Sequence, residues 1–181
     1  ILVKEIFMNT PNKLTTLRMI LVPFFVLAFY IESKDISARL IITTIIFAIA
    51  SSTDFLDGYL ARKYNLVTDF GKFMDPLADK VLVTAALVCL VQIGRVEAWM
   101  VVLIISREYA ISILRAIAAS TGKVLAASKG GKIKTATQMI AIIMLMLAIP
   151  GGNILMYLAV FFTAYSGVQY IYENRHLIET Y

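Results

Sequence analysis

Six long apolar runs, joined by short connections, limit what this chain can become. They fall at about 14–31, 38–61, 73–93, 97–119, 133–150 and 154–173. Each is near the ~20 residues that a helix needs to cross a hydrocarbon core of about 30 Å. In lipid only helices and closed barrels satisfy every backbone group, and these runs are far too long for barrel strands. The expected fold is an all-α integral membrane protein with six transmembrane helices. It forms one membrane-embedded domain over residues 1–181, with residues 1–13 as an N-terminal interfacial segment. Composition agrees: 60% of residues are hydrophobic and the mean hydropathy is +0.80, whereas a soluble domain is nearer half apolar.

Charge sets the orientation. With both termini in the cytoplasm, the outer connections hold only three of the 17 basic residues, Lys34, Arg39 and Arg95. The net charge of +5 is then a positive-inside bias rather than a nucleic-acid footprint. The expected location is the cytoplasmic membrane of a bacterium, multi-pass, with the working face toward the cytoplasm and no nucleic-acid partner. Asn9-Thr10-Pro11 reads as a helix cap with proline in the first turn, opening an entry helix over residues 6–18. Trp99 marks the outer end of the fourth run.

Against this background four carboxylates stand out. Asp54 and Asp57 are three residues apart near the end of the second run; Asp75 and Asp79 are four apart at the start of the third. Each pair shares one helix face. The polar stretch 63–70 between them suits a reversal, which would make a helical hairpin with two acids on each arm. Counted from Leu40, Asp54 lies 14 residues along its run; counted back from Ile93, Asp79 lies 14 residues along the other. At 1.5 Å per residue both sit roughly 21 Å from the outer end, in the inner leaflet. Two carboxylates about 4 Å apart repel by about 4 kcal/mol at an effective dielectric of 20. Cations or protons must neutralise such a group. Oxygen donors without His or Cys select a hard divalent ion, Mg²⁺ or Mn²⁺, and this many carboxylates suit two ions.

The full pattern is Asp54-x2-Asp57-Gly58-x2-Ala61-Arg62-x8-Gly71-x3-Asp75-x3-Asp79. It resembles the signature of the CDP-alcohol phosphotransferases at every fixed position, and the whole chain is similar in size to the six-helix domain of that family. The resemblance implies transfer of a phosphatidyl-type group from a CDP-linked lipid to an alcohol, with release of CMP. It assigns Asp54, Asp57, Asp75 and Asp79 to the metals, and Asp79 also as the base that takes the acceptor's hydroxyl proton. Gly58, Ala61 and Gly71 would leave room for the nucleotide, and Arg62 would meet a phosphate or a motif acid. The opening Pro11-Asn12-Lys13-Leu14-Thr15-Thr16-Leu17-Arg18 also resembles the family's start. Asn12, Thr15 and Arg18 share a face there and are expected at the nucleotide phosphates, with interfacial anchoring by Lys13 and Arg18 the equal alternative.

The text around the motif is most similar to the bacterial branch that takes CDP-diacylglycerol as donor and glycerol 3-phosphate as acceptor. A dianionic acceptor calls for buried cations, with Arg favoured for two-pronged binding. Arg107, Arg115 and Lys132 are the candidates. Arg107 lies near mid-span, where a charge is costly and usually has a named partner; Glu108 is its nearest neutraliser. Lys132 opens the fifth helix beside Gly130 and Gly131 and is expected to face the pocket. The family resemblance also implies a homodimer, for which Ala164, Tyr165, Ser166 and Gly167 offer a small-residue patch.

The motif alone leaves cardiolipin, phosphatidylserine and inositol-phosphate transferases open. A divalent-cation transporter is the reading from another class, since intramembrane acids mark ion paths. Against it, the outer connections add only Glu32, Asp35 and Glu97, and no repeated halves or broken helices are visible.

Overall fold

The computed structural model describes residues 10–31, 36–63, 69–120, 125 and 129–175. Side chains are described for these residues except at 10–14, 36–38, 54–63, 69–73, 75–76, 120 and 129. Among the described residues every regular element is an α-helix: α1 (Thr10–Tyr30), α2 (Ile36–Lys63), α3 (Asp69–Gln92), α4 (Ala98–Ser120), α5 (Lys129–Met146) and α6 (Gly152–Glu173). All six expected helices are present. The chain divides into two units, Ile1–Cys89 and Leu90–Tyr181, and the division falls inside α3.

In the first unit α1 and α2 pack as an antiparallel pair. Arg18 meets Ala50, Phe25 meets Phe47 with ring centroids 6.1 Å apart, and the Arg39 guanidinium lies 5.5 Å from the Phe29 ring centroid. The inward face of α1 is Thr15, Arg18, Val22, Phe25 and Phe29, a 3.6-residue stripe. Thr43 and Thr44 of α2 spend their hydroxyls on its own backbone: both donate to the Leu40 carbonyl, at 3.0 and 2.6 Å. Such back-bonding lets threonine sit in an apolar helix without an orphaned donor. The helix α1 is described from Thr10, ahead of the apolar run, with Pro11 near that end; Asn9, the cap candidate, lies outside the described residues. The entry helix and first span are one element over the described residues.

In the second unit α4, α5 and α6 alternate in direction. Glu108 of α4 pairs with Lys134 of α5, while Arg95, just before α4, reaches Leu145 and Met146 near the other end of α5. Gly130 lies against Ser166, and Gly152 against Leu145. A Cβ at Gly152 would stand 3.1 Å from Leu145 Cδ2, so the absence of a side chain sets the close approach of α5 and α6. The buried face of α4 runs Met100, Ile104, Ile111, Leu114 and Ala118. Arg107 occupies the position between Ile104 and Ile111 on that stripe.

Two helix ends depart from the apolar run. The fifth helix spans 129–146 rather than 133–150. Gly130 and Gly131 are tolerated in its first turn, and it stops where Ala148 turns left-handed, with φ 55°. Ala148 N–H donates to Leu145 O and Ile149 N–H to Met144 O, closing a Schellman cap. Arg95 Nη1 donates to the last carbonyls, Leu145 and Met146, adding positive charge at the helix C-terminus. The same cap ends α3, but there Gly94 takes the left-handed position with φ 70°. Alanine pays a steric cost in this region that glycine avoids. Ala148→Gly is therefore expected to stabilise the protein by about 0.5–1 kcal/mol, read as a higher midpoint of thermal unfolding in detergent.

The outward faces are apolar. Phe24 and Leu27 on α1, Ile42 and Ile49 on α2, Val102 and Ile113 on α4, and Ile154, Phe161 and Val168 on α6 are all more than half exposed. So many exposed apolar side chains on each unit suit lipid, not water. The helix α6 is long and apolar enough to cross a membrane, and the apolar stretches Thr15–Tyr30 and Arg39–Thr53 are shorter. The expected homodimer patch is divided by the fold. Ser166 and Gly167 are buried within the chain's second unit, against Gly130 and Arg107, while Ala164 and Tyr165 are exposed.

Candidate functional site

The backbone carries both acid pairs on uninterrupted helices. Asp54 and Asp57 lie in α2, Asp75 and Asp79 in α3, each pair about one turn apart. Two pairs of hard oxygen donors at helical spacing form a donor set that fits Mg²⁺ or Mn²⁺. The side chains of Asp54, Asp57, Asp75, Ala61, Arg62 and Asn12 lie outside the described residues, as does the reversal at 64–68. Gly58 and Gly71 are within α2 and α3. Asp79 is half-buried, on the turn that carries the fully buried Ala78 and Leu82.

The helical turn before Asp54 is anchored from α1. Arg18 is 0% exposed, and its Nε donates to the Ala50 carbonyl at 3.2 Å. The same carbonyl accepts Thr53 Oγ1 at 2.6 Å. A fully buried guanidinium is expensive unless its donors are used. Arg18 therefore ties α1 to the approach to the first acid pair through its Nε, a structural duty beside the phosphate or interfacial role expected of it. Thr15 lies on the same buried face at 1% exposure.

The second unit holds a cationic cluster built from three helices. Arg107 reaches across α4 to Ser166 of α6, with Nη2 donating to Oγ at 3.1 Å, and its Nη1 donates to Glu108 Oε1 at 3.1 Å. Its stem lies over Gly167, where a Cβ would stand 3.0 Å from Arg107 Cγ. Arg107 Nε has no hydrogen-bond partner among the described residues. Two turns on, Arg115 is exposed; its Nε donates to Tyr170 Oη at 3.1 Å and its guanidinium lies 5.5 Å from the Tyr170 ring centroid. Ser166 and Tyr170 are one turn apart, so α6 offers one hydroxyl to each arginine.

Lys132 does not join this cluster within its own unit: it is exposed in the first turns of α5. Lys134 does. It is 3% exposed, and its Nζ donates to Glu108 Oε1, the oxygen that also accepts Arg107. The signal for it was in the register. Counting back from Leu145 and Ile142 along the buried face of α5 reaches Gln138 and then Lys134, both buried. Lys132 lies two residues off that face.

Helices throughout the described residues, an intact Asp-rich signature on two successive helices and a cationic cluster on α4 and α5 define a class. The chain belongs to the CDP-alcohol phosphatidyltransferase family, whose sequence profile matches residues 8–165. Among its relatives, the CDP-diacylglycerol–glycerol-3-phosphate 3-phosphatidyltransferase of Bacillus subtilis (strain 168) is 44% identical over 95% of this chain and 98% of its own length. The proteins of that name from Haemophilus influenzae and Rickettsia felis are 45% and 39% identical, each over 90% of this chain and over 91% and 93% of their own lengths.

Proposed function

We propose that this protein transfers the phosphatidyl group of CDP-diacylglycerol to glycerol 3-phosphate, giving phosphatidylglycerophosphate and CMP. The observation that carries this reading is similarity along nearly the whole chain to relatives of that name, with every fixed position of the acid signature intact. The protein works in phospholipid synthesis as a multi-pass protein of the bacterial cytoplasmic membrane. Six membrane crossings, both termini in the cytoplasm and a homodimer complete the reading; the alternating helix directions within each unit and the distribution of Lys and Arg support the crossings.

The chemistry is an in-line displacement. The acceptor hydroxyl oxygen bonds to the phosphatidyl phosphorus as the bond from that phosphorus to the CMP oxygen breaks. Asp79 takes the hydroxyl proton, and CMP leaves with the bonding electrons. Asp54, Asp57, Asp75 and Asp79 would hold one or two Mg²⁺ or Mn²⁺ ions, which supply positive charge for the diphosphate. Gly58, Ala61 and Gly71 leave space for the nucleotide beside their helices. Arg62, Asn12 and Thr15 are assigned to the CDP-lipid, and Arg107 and Arg115 to the acceptor phosphate. The bilayer holds the acyl chains while the headgroup reacts.

The test is CMP release by purified protein given CDP-diacylglycerol with each acceptor in turn. Turnover is expected with glycerol 3-phosphate and not with phosphatidylglycerol, serine or inositol phosphate. Inactivity with glycerol 3-phosphate overturns the assignment. Without acceptor, labelled CMP should not exchange into the lipid; exchange would reveal a covalent phosphatidyl–enzyme and rule out direct displacement.

A further inference from the structure

We propose that Lys134 is a positioning residue for the acceptor phosphate, acting through Glu108 to leave Arg107 its positive charge and its orientation. The inference rests on the assignment of Arg107 to that phosphate.

Three charged side chains from two helices meet at one oxygen. Glu108 Oε1 accepts Arg107 Nη1 at 3.1 Å and also accepts Lys134 Nζ. An Arg107–Glu108 pair by itself would be neutral and would already answer the cost of a charge at that depth. It would also spend the arginine. A carboxylate that holds a guanidinium in a water-poor bundle competes directly with any phosphate for it.

Lys134 changes that balance. Its ammonium is buried, although a lysine stem is long enough to carry the charge outward to a headgroup region when nothing holds it. It is held inward on the face of α5 that carries Gln138 and Ile142. Two cations and one anion leave the trio with one net positive charge. Glu108 then acts as a tether for Arg107 rather than as its neutraliser. Ser166 fixes the other Nη, and the bare backbone of Gly167 admits the stem, so the guanidinium is aimed before substrate arrives. Preset charge of this kind costs no reorganisation when the dianion binds.

The experiment uses the full chain in detergent or nanodiscs, with KM for each substrate, kcat and the melting midpoint measured together. Lys134→Met keeps length and suits burial. It is expected to raise KM for glycerol 3-phosphate about tenfold, with kcat and KM for CDP-diacylglycerol within about twofold of the parent. Lys134→Arg should recover most of the loss. The double variant Lys134→Met/Glu108→Gln returns the trio to one net positive charge and should bring KM for glycerol 3-phosphate back toward the parent value. Losses that instead add up in the double variant, or a Lys134→Met variant that changes only kcat and melting, would show a packing role and overturn the inference. Arg107→Met distinguishes the levels. If it raises KM for glycerol 3-phosphate and Lys134→Met does not, the inference alone falls; if Arg107→Met leaves that KM unchanged, the acceptor-site assignment falls and takes the inference with it.

Discussion

Asp79→Asn should abolish most turnover while leaving CDP-lipid binding in place. A positioned base accelerates proton transfer by about 10²–10⁴-fold, and the amide cannot accept the acceptor's proton at neutral pH. A fall in kcat of about 10³-fold is expected, with binding of CDP-diacylglycerol in the presence of Mg²⁺ within a few fold of the parent. The substitution is nearly isosteric, and Asp79 sits on a well-packed turn of α3 between buried Ala78 and Leu82 in sequence, so the helix should persist. The two measurements separate the two roles given to this carboxylate. Loss of lipid binding together with turnover would make Asp79 chiefly a metal ligand, and the base would have to be sought elsewhere.

Arg107→Met should be the next largest effect, confined to the acceptor. Charge-assisted contacts to a phosphate are about twice as strong as neutral ones. Removing the guanidinium should lower kcat/KM for glycerol 3-phosphate by about 100-fold, or about 2.7 kcal/mol, with KM for CDP-diacylglycerol unchanged. The variant also releases Ser166 Oγ and leaves Glu108 paired with Lys134, so no bare carboxylate is stranded in the bundle. An equal loss for both substrates would mean that Arg107 serves the packing of α4 on α6 instead.

The family and the acid signature were legible because the chemistry imposes them on the primary structure. Aspartates that must share a helix face have to recur at three or four residues. Helix number was legible for a similar reason, since each of the six helices is marked by a long apolar run. Helix ends were less so. Hydropathy measures the lipid-facing stretch, not the hydrogen-bonded one. It therefore missed the polar opening turns of α1 and α5, and it ran α5 on through Ala148 to Pro150, past its last helical residue Met146.

Side-chain direction was the part that composition and spacing left open. Lys132 and Lys134 look alike along the chain, yet two residues on a helix stand roughly 200° apart. The register that turns Lys134 inward is set by Ile142 and Leu145, and the partner that receives it, Glu108, belongs to another helix. Arg18 was read as a phosphate contact or an interfacial anchor, and only the packing of α1 on α2 shows that its Nε is also held by Ala50 O. Ser166 and Gly167 looked like a surface for a second copy, whereas α4 and α5 already use them.

By itself, then, the order of residues determined the family, the reaction class and the six helices found among the described residues, because each is enforced by spacing along one chain. Tertiary packing decided which cations are turned inward and what holds them. That choice depends on contacts between residues as far apart as Arg107 and Ser166, and no local pattern carries it.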